Sequence, residues 1–293
     1  MEIRTLRYFL AVAQEENMTK AADILHVTQP TLSKQLKALE DELGKKLFVR
    51  HSFNIELTEE GIFLRNQAED LIAMADKISN EFISMDDISG GEIYLGLAES
   101  WHINYIAKTI KSLKKNYPNL HYNITSGDTE QVIDKLDKGI LDFAVLAEEP
   151  DTKKYNHLPF PKSDTWGLVM QKTDPLSSKK SIRAKDLVGL PLFCSGQAWN
   201  NEISQWAGSI FDKLKLEGSF KLSYNGGVFA GEGLGYLLTF DKLLDTSESG
   251  KLCFRPLSQK LETRLHLIWK KNQTLTPMAQ RFLEEIQSVF RSN

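Results

Sequence analysis

The 293-residue chain has only two cysteines, Cys194 and Cys253. Two thiols are too few for a disulfide framework or a structural zinc site. The six histidines (His26, His51, His102, His121, His157 and His266) show no close metal-ligand spacing. Neither a metal nor any other cofactor is therefore expected. A membrane span needs roughly 20 consecutive apolar residues, and no such run is present. The start of the chain lacks a secretory leader: the apolar run Tyr8–Ala13 is short, and Gln14-Glu15-Glu16 follows where a cleavage site would lie. A cytoplasmic location is the expectation. Charge of one sign is also missing, since the net charge is −3. A nucleic-acid partner must therefore be argued from a local motif.

What is present is ordinary globular composition, 41% hydrophobic and 26% charged, which excludes a mainly disordered chain. The length suggests two domains. A local basic signal lies in residues 28–50, where Lys34, Lys37, Lys45, Lys46 and Arg50 face Glu40, Asp41 and Glu42.

Leu6, Phe9, Leu10 and Ala13 recur at helical spacing and predict a first helix. Thr19 is the expected N-cap of a second, short helix through Leu25. Thr28 caps a third, with Pro30 in its first turn, where a missing N–H costs little. Leu32, Leu36 and Leu39 form the inward stripe of this third helix. Gln29, Thr31, Ser33, Lys34, Gln35 and Lys37 fall on or near its other face. A short helix, a tight turn and a polar-faced helix make a helix-turn-helix. The chemistry suits the DNA major groove, where Gln reads adenine and Lys reaches guanine or phosphate. The bland alternative is a three-helix packing unit with a solvated face. Gly44 stops the helix. Phe48-Val49-Arg50 and Ile55-Glu56-Leu57 alternate as two short strands around His51-Ser52-Phe53-Asn54, a wing that would bring Arg50 and His51 to the backbone or minor groove.

Thr58 is the expected cap of a further helix. Leu64, Ala68, Leu71, Ala75, Ile78, Phe82 and Met85 then recur at heptad spacing, a seam that can pair with its own copy or pack on its own domain. Asp86-Asp87-Ile88-Ser89-Gly90-Gly91 reads as a hinge. Beyond it, strands over Glu92–Ala98, Leu120–Thr125 and Leu141–Leu146 alternate with helices over Ile103–Asn116 and Thr129–Lys138. That βαβαβ order predicts a parallel sheet. Ligands in such sheets bind beyond the carboxyl ends of the strands. The second half is expected to carry strands at Trp166–Met170, Leu190–Ser195, Lys221–Tyr224 and Leu265–Trp269, and a last helix over Pro277–Phe290. Gly231, Gly233 and Gly235 are not a full dinucleotide fingerprint and lie late in the chain. No G-x-S-x-G occurs, and Ser100-Trp101-His102 is no triad, so no catalytic residue is expected and the chain is read as a non-enzyme. The basic run from Lys251 to Arg281, opposed by Glu262 alone, reads as a solvated face.

Phe9-Leu10-Ala11-Val12-Ala13, Thr19-Lys20-Ala21-Ala22, Thr28 through Leu36, and Leu39-Glu40 through Leu43-Gly44 to Leu47-Phe48-Val49-Arg50 together resemble LysR-type transcriptional regulators. The likeness runs over about sixty residues in the order and spacing of that family. Later pieces, Gly139-Ile140-Leu141-Asp142, Gly231 through Gly235 followed by Leu237-Leu238, and Trp269-Lys270-Lys271, carry it on more thinly, with Thr239 where the family often has proline. The resemblance implies a multidomain chain: an N-terminal winged helix-turn-helix over 1–58, a long linker and dimerisation helix with hinge over 59–88, and a C-terminal two-lobed α/β effector domain over 89–293. That domain resembles type 2 periplasmic binding proteins, with lobe I about 89–162 and 267–293 and lobe II about 163–266.

The resemblance also implies partners: double-stranded DNA bearing an imperfect inverted repeat, a small-molecule effector between the lobes, RNA polymerase if the protein activates, and a homodimer assembling to a homotetramer, with no membrane. It places Thr28, Gln29, Pro30, Thr31, Ser33, Lys34, Gln35, Lys37 and Arg50 at DNA. Lys34 stands where the family often has arginine, and a lysine cannot make the forked guanidinium contact. Ser100, Trp101, Gly127, Asp128, Thr129 and Ser195 are the effector candidates, with Cys194 and Gly196 beside them. A hydroxyl with helix N-terminal amides would suit a carboxylate ligand. Ser100 and Thr129 could equally be N-caps. Cys194 and Cys253 could form a redox pair, as in peroxide-sensing relatives, or be inert packing. A solute-binding module and an enzyme with a two-lobed fold are the rival readings.

Overall fold

Unit one, residues 1–86, is assembled around a single small core, and residues 87–293 form a second unit. The computed structural model describes residues 1–51, 54–85 and 89–292, and for Arg50, Ser84 and Met85 the main chain alone. Ser52 and Phe53 of the wing, the Arg50 and Met85 side chains, and Asp86–Ile88 of the hinge lie outside the described residues.

In the first unit, α1 (Ile3–Glu15), α2 (Met18–Ile24) and α3 (Gln29–Leu43) precede a wing of β1 (Phe48–Arg50) and β2 (Ile55–Leu57), and α4 (Glu59–Met85) follows. Leu6, Phe9, Val12, Leu32, Leu36 and Leu39 are buried together, as the helical spacing requires. The α2 cap differs from expectation. Asn17, not Thr19, is the N-cap, because its Oδ1 accepts from both Thr19 N and Lys20 N at 3.0 Å. Thr19 therefore lies inside the first turn. Thr28 and Gly44 cap α3 as predicted, Gly44 with φ of 65°. The wing pairs antiparallel, Phe48 with Leu57 and Arg50 with Ile55.

Thr58 starts α4. Its hydroxyl accepts from Gly61 N at 2.9 Å and donates to Lys46 O at 2.7 Å. The heptad seam divides. Leu64 and Ala68 are buried in the unit's own core, with Ile72 against them. Leu71, Ile78 and Phe82 are exposed, as is Phe63 off the seam. The first half of α4 is thus committed to the unit's own core, and Arg7 of α1 also grips Asp76 farther along the helix.

In the second unit, β3 (Gly90–Leu97), α5 (Asn104–Leu113), β4 (Asn119–Ser126), α6 (Thr129–Asp137) and β5 (Phe143–Leu146) give the predicted βαβαβ order. β3 pairs parallel with both β4 and β5. The long strand β6 (Tyr155–Gln171) then leads to β7 (Pro191–Cys194). Short α7 (Gly196–Ala198) and α8 (Ser204–Ala207) follow, joined by a π turn over Trp199–Ile203. β8 (Lys215–Ser219), α9 (Ser223–Gly231), β9 (Tyr236–Phe240), β10 (Leu252–Pro256), β11 (Glu262–Lys270) and α10 (Pro277–Arg291) complete the chain. One curled mixed sheet runs β4-β3-β5-β11-β6-β9-β7-β8, with β10 also on β6.

β6 makes the two lobes. Its first part, from Tyr155 to Thr165, pairs with β11. Its last part, from Trp166 to Gln171, pairs with β9 and β10 instead. One core gathers Ile93, Leu95, Phe143, Phe160, Leu267 and Phe282. Another gathers Trp166, Leu192, Trp199, Ile203 and Leu238. The predicted strand at Lys221–Tyr224 is a misreading, since α9 begins at Ser223 and the strand lies earlier, at β8. Gly226 and Gly227 let α9 pack closely: a side chain at either would strike Leu237 or Leu244. Gly235 is likewise structural, since a Cβ there would sit 2.4 Å from Pro191 O. Thr239 lies within β9, not in a turn. Among the described residues, no helix is long and apolar enough to cross a membrane.

Candidate functional sites

The first candidate is the outer face of α3. Thr28, Gln29, Pro30, Thr31, Lys34, Gln35 and Lys37 are exposed on one surface, with Ser33 half-buried among them. The sequence predicted these residues, and the structure brings them together. Thr28 and Thr31 share a hydroxyl–hydroxyl hydrogen bond of 2.8 Å at the helix start. Of the nearby cations, Lys46 is spent on Glu40 at 2.9 Å and Lys45 on Glu60 at 3.4 Å. Lys34 and Lys37 have no carboxylate partner among the described residues. The face therefore offers amides, hydroxyls and two free ammonium groups.

Sequence reasoning missed Glu40, which fixes the wing to this helix. Its buried Oε1 accepts from Leu47 N at 2.9 Å and Phe48 N at 3.4 Å. Burial pushes the carboxyl up, but Lys46 and the two amides outweigh it and hold Glu40 below the usual range. Leu39-Glu40, then Lys46-Leu47, was the available signal: an acid on the inward side of an amphipathic helix needs donors nearby.

The second candidate is a recess within the second unit, at the carboxyl ends of β3, β4, β5 and β7. An inner part of about 110 Å³ is walled by Ala98, Trp166, Leu237, Leu238 and Phe240. It shares Asp128, Thr129, Ser195, Gln197, Phe220 and Lys221 with an outer mouth of about 660 Å³. Polar contacts cross it. Ser223 N donates to Glu99 Oε2 at 2.5 Å, Lys221 Nζ meets Asp128 Oδ2 at 3.0 Å, and Gln197 Nε2 donates to Thr129 Oγ1 at 3.1 Å.

Four of the six effector candidates line this recess: Gly127, Asp128, Thr129 and Ser195. Two do not. Ser100 is buried beside it, its Oγ donating to Asp164 Oδ2 at 2.6 Å and accepting from His102 N at 2.8 Å. His102 Nδ1 reaches the other Asp164 oxygen at 3.0 Å. Burial pushes the Asp164 carboxyl up, against the pull of Ser100 and His102. Trp101 lines a separate polar recess with Lys162, Lys242 and Arg264. β3 ends at Leu97, so strand alternation does not extend to this stretch: Ala98 and Glu99 both line the recess, while Ser100 turns onto Asp164 of β6. Asp128 rather than Thr129 caps α6, accepting from Gln131 N at 3.0 Å. Burial raises Asp128, but Gln131 N and Lys221 bring it below the usual value. Ser195 caps α7 through Ala198 N at 3.2 Å.

Glu99, Glu148, Gln197, Glu202 and Lys221 were missed. Glu99 and Glu148 lie two residues past the ends of β3 and β5, so the strand-end rule that chose Ser100 and Asp128 would have found them. Glu202 had no such signal, because it hangs from the π turn after α7. Both thiols are buried. Burial pushes Cys194 up to about 12 and raises Cys253 as well.

Comparison with known proteins bears on both sites. Residues 3–62 match the family described as bacterial regulatory helix-turn-helix protein, lysR family. Residues 87–291 match the LysR substrate binding domain. A hydrogen peroxide-inducible genes activator from Pectobacterium carotovorum subsp. carotovorum is 29% identical over 189 residues, covering 64% of this chain and 62% of that protein. The Hca operon transcriptional activator HcaR of Escherichia coli (strain K12) is 26% identical over 303 residues, covering 100% of this chain and 99% of its own. Full-length CbnR, solved with its target DNA, superposes with a TM-score of 0.77 at 18% identity, over 99% of this chain and 100% of that one.

Proposed function

Because the chain belongs to the LysR family of bacterial regulators, we propose that it is a sequence-specific DNA-binding transcription factor controlled by a small molecule. The observation that carries this reading is the α3 face, seven exposed polar or small residues on a capped helix followed by a wing. Gln29 and Gln35 would read base edges; Thr28, Thr31 and Ser33 would contact bases or phosphate; Lys34, Lys37 and Arg50 would neutralise phosphate. Pro30 shapes the first turn. Exposed Leu71, Ile78 and Phe82 on α4 would pair with a second copy, making a homodimer that assembles to a tetramer. The target is then an inverted repeat in double-stranded DNA, with RNA polymerase as partner where the protein activates.

The domain division follows: 1–58 for DNA, 59–88 for pairing, 89–293 for the effector. Gly127, Asp128, Thr129 and Ser195 would contact the effector, while Ser100 and Trp101 act at most from behind the wall of the recess. An effector switches the protein only by binding two of its states unequally. The family matched by both domains is one of regulators, and we read the protein as acting by binding, in the cytoplasm. Peroxide sensing by thiol chemistry, suggested by the activator from Pectobacterium, finds no support in two buried thiols with raised pKa.

Genome-wide DNA capture with the purified full-length protein at defined salt tests the proposal. A shared inverted repeat is expected, and binding that is salt-labile and indifferent to sequence would overturn it.

A further inference from the structure

The recess in the second unit is charged, and acids outnumber cations along its lining. Glu99, Asp128, Glu130, Glu148 and Glu202 line it or its mouth, and Lys221 is the one cation among the lining residues. Lys221 is already paired with Asp128. Several groups that would receive an anion are taken by the protein itself. Asp128 caps α6, the Glu99 carboxylate sits on the first amide of α9, and the Gln197 amide is shared between Thr129 and Glu148. A carboxylate ligand would have to displace these partners and enter a field of like charge. The lining charge thus disfavours an anionic ligand, and one amide at each of the α6 and α9 termini already has an acceptor from the protein.

Glu202 points the other way. It lines the inner recess, and its Oε2 is fully buried with no hydrogen-bond partner among the described residues. An unmatched buried carboxylate oxygen is costly, and a donor brought in by a ligand removes that cost. Around it the wall is apolar and aromatic, with Trp166, Phe220 and Phe240. Ring faces attract a desolvated cation, and ammonium groups suit such boxes.

We infer that the effector is a small organic cation, an amine or guanidine with an apolar body, whose charged end meets Glu202 and Glu148. This rests on the reading of the recess as the effector site. The cationic end supplies N–H donors to Glu202, and the apolar stem takes the wall of Leu237, Leu238 and Phe240.

The test is titration calorimetry on the full-length protein with four probes: phenethylamine, agmatine, 3-phenylpropionate and 2-phenylethanol. Hydrogen-exchange mapping locates each binder. The amines should bind with protection confined to the peptides around Glu99, Asp128, Gln197 and Ser223. Glu202→Gln should weaken them at least about tenfold, since a charge-assisted hydrogen bond is lost. Binding of 3-phenylpropionate in the recess, or of 2-phenylethanol as tightly as phenethylamine, would overturn the cationic assignment and leave the site standing. Protection elsewhere, or no binding by any probe, would overturn the site and the assignment together. Glu202→Gln is also expected to unfold at no lower temperature than the parent when no probe is present. A marked loss would mean that Glu202 serves the fold and not a ligand.

Discussion

Replacing Glu40 should loosen the wing without touching the effector domain. The side chain is buried, so Glu40→Ala leaves Leu47 N, itself in a buried residue, without an acceptor. An orphaned buried amide costs about 1–3 kcal/mol. Phe48 N, at 3.4 Å, adds less. The Lys46 ammonium is largely exposed, so its share is under about 1 kcal/mol. A total of about 2 kcal/mol corresponds to roughly 30-fold faster exchange of the Leu47 amide if local opening limits it. Glu40→Gln keeps an acceptor and should cost about half as much. The sign with pH follows from the lowered pKa. The contribution is complete above the ordinary Glu value of 4.5 and is lost as pH falls through the lower folded value. The gap between parent and Glu40→Ala should therefore close in acid. Hydrogen exchange resolved at Leu47 and Phe48 is the assay. All five tryptophans, from Trp101 to Trp269, lie in the second unit, so their fluorescence midpoint in urea is an internal control and should not move. Exchange within twofold of the parent would refute the assignment of Glu40 as the tie between α3 and the wing.

Other expectations follow from the same surfaces. Gln29→Ala or Gln35→Ala should cost roughly 1–3 kcal/mol at the operator and little on random DNA, and unchanged operator affinity would remove these residues from base readout. Lys34→Ala should weaken both kinds of DNA and lower the salt slope by about one, whereas loss at the operator alone would mean a base contact. Ile78→Asp with Phe82→Asp should leave a folded monomer by light scattering, since Phe82 is 69% exposed and contributes nothing to the unit's own core; a dimer that persists would place pairing elsewhere. With burial holding its pKa far above the ordinary thiol value, Cys194 should stay a thiol at pH 7.5. Peroxide should then leave operator binding unchanged, and a peroxide response abolished by Cys194→Ser would overturn this.

How much of the molecule was legible depends on how far apart in sequence the deciding contacts lie. The α3 face was readable because one helix carries both its buried stripe (Leu32, Leu36, Leu39) and its polar surface, and Thr28 and Gly44 mark its ends. The βαβαβ half of the second unit was readable for the same reason. The heptad in α4 was only half legible. Leu64 and Ala68 satisfy the repeat as well as Leu71 and Ile78 do, and only the packing of α1 decides which pairs are already covered. Leu222 and Tyr224 mimic strand alternation, and the glycines at 226 and 227 that favour close helix packing act on Leu237 and Leu244, well down the chain. The recess was least legible. Its walls come from residues between Ala98 and Leu243, and a shift of one residue at the end of β3 exchanges Glu99 for Ser100. That shift matters chemically. Read with Ser100, the site is a hydroxyl among helix amides and invites an anion. Built with Glu99, Glu148 and Glu202, it is lined by carboxylates and keeps a buried carboxylate oxygen unmatched, which favours the opposite charge.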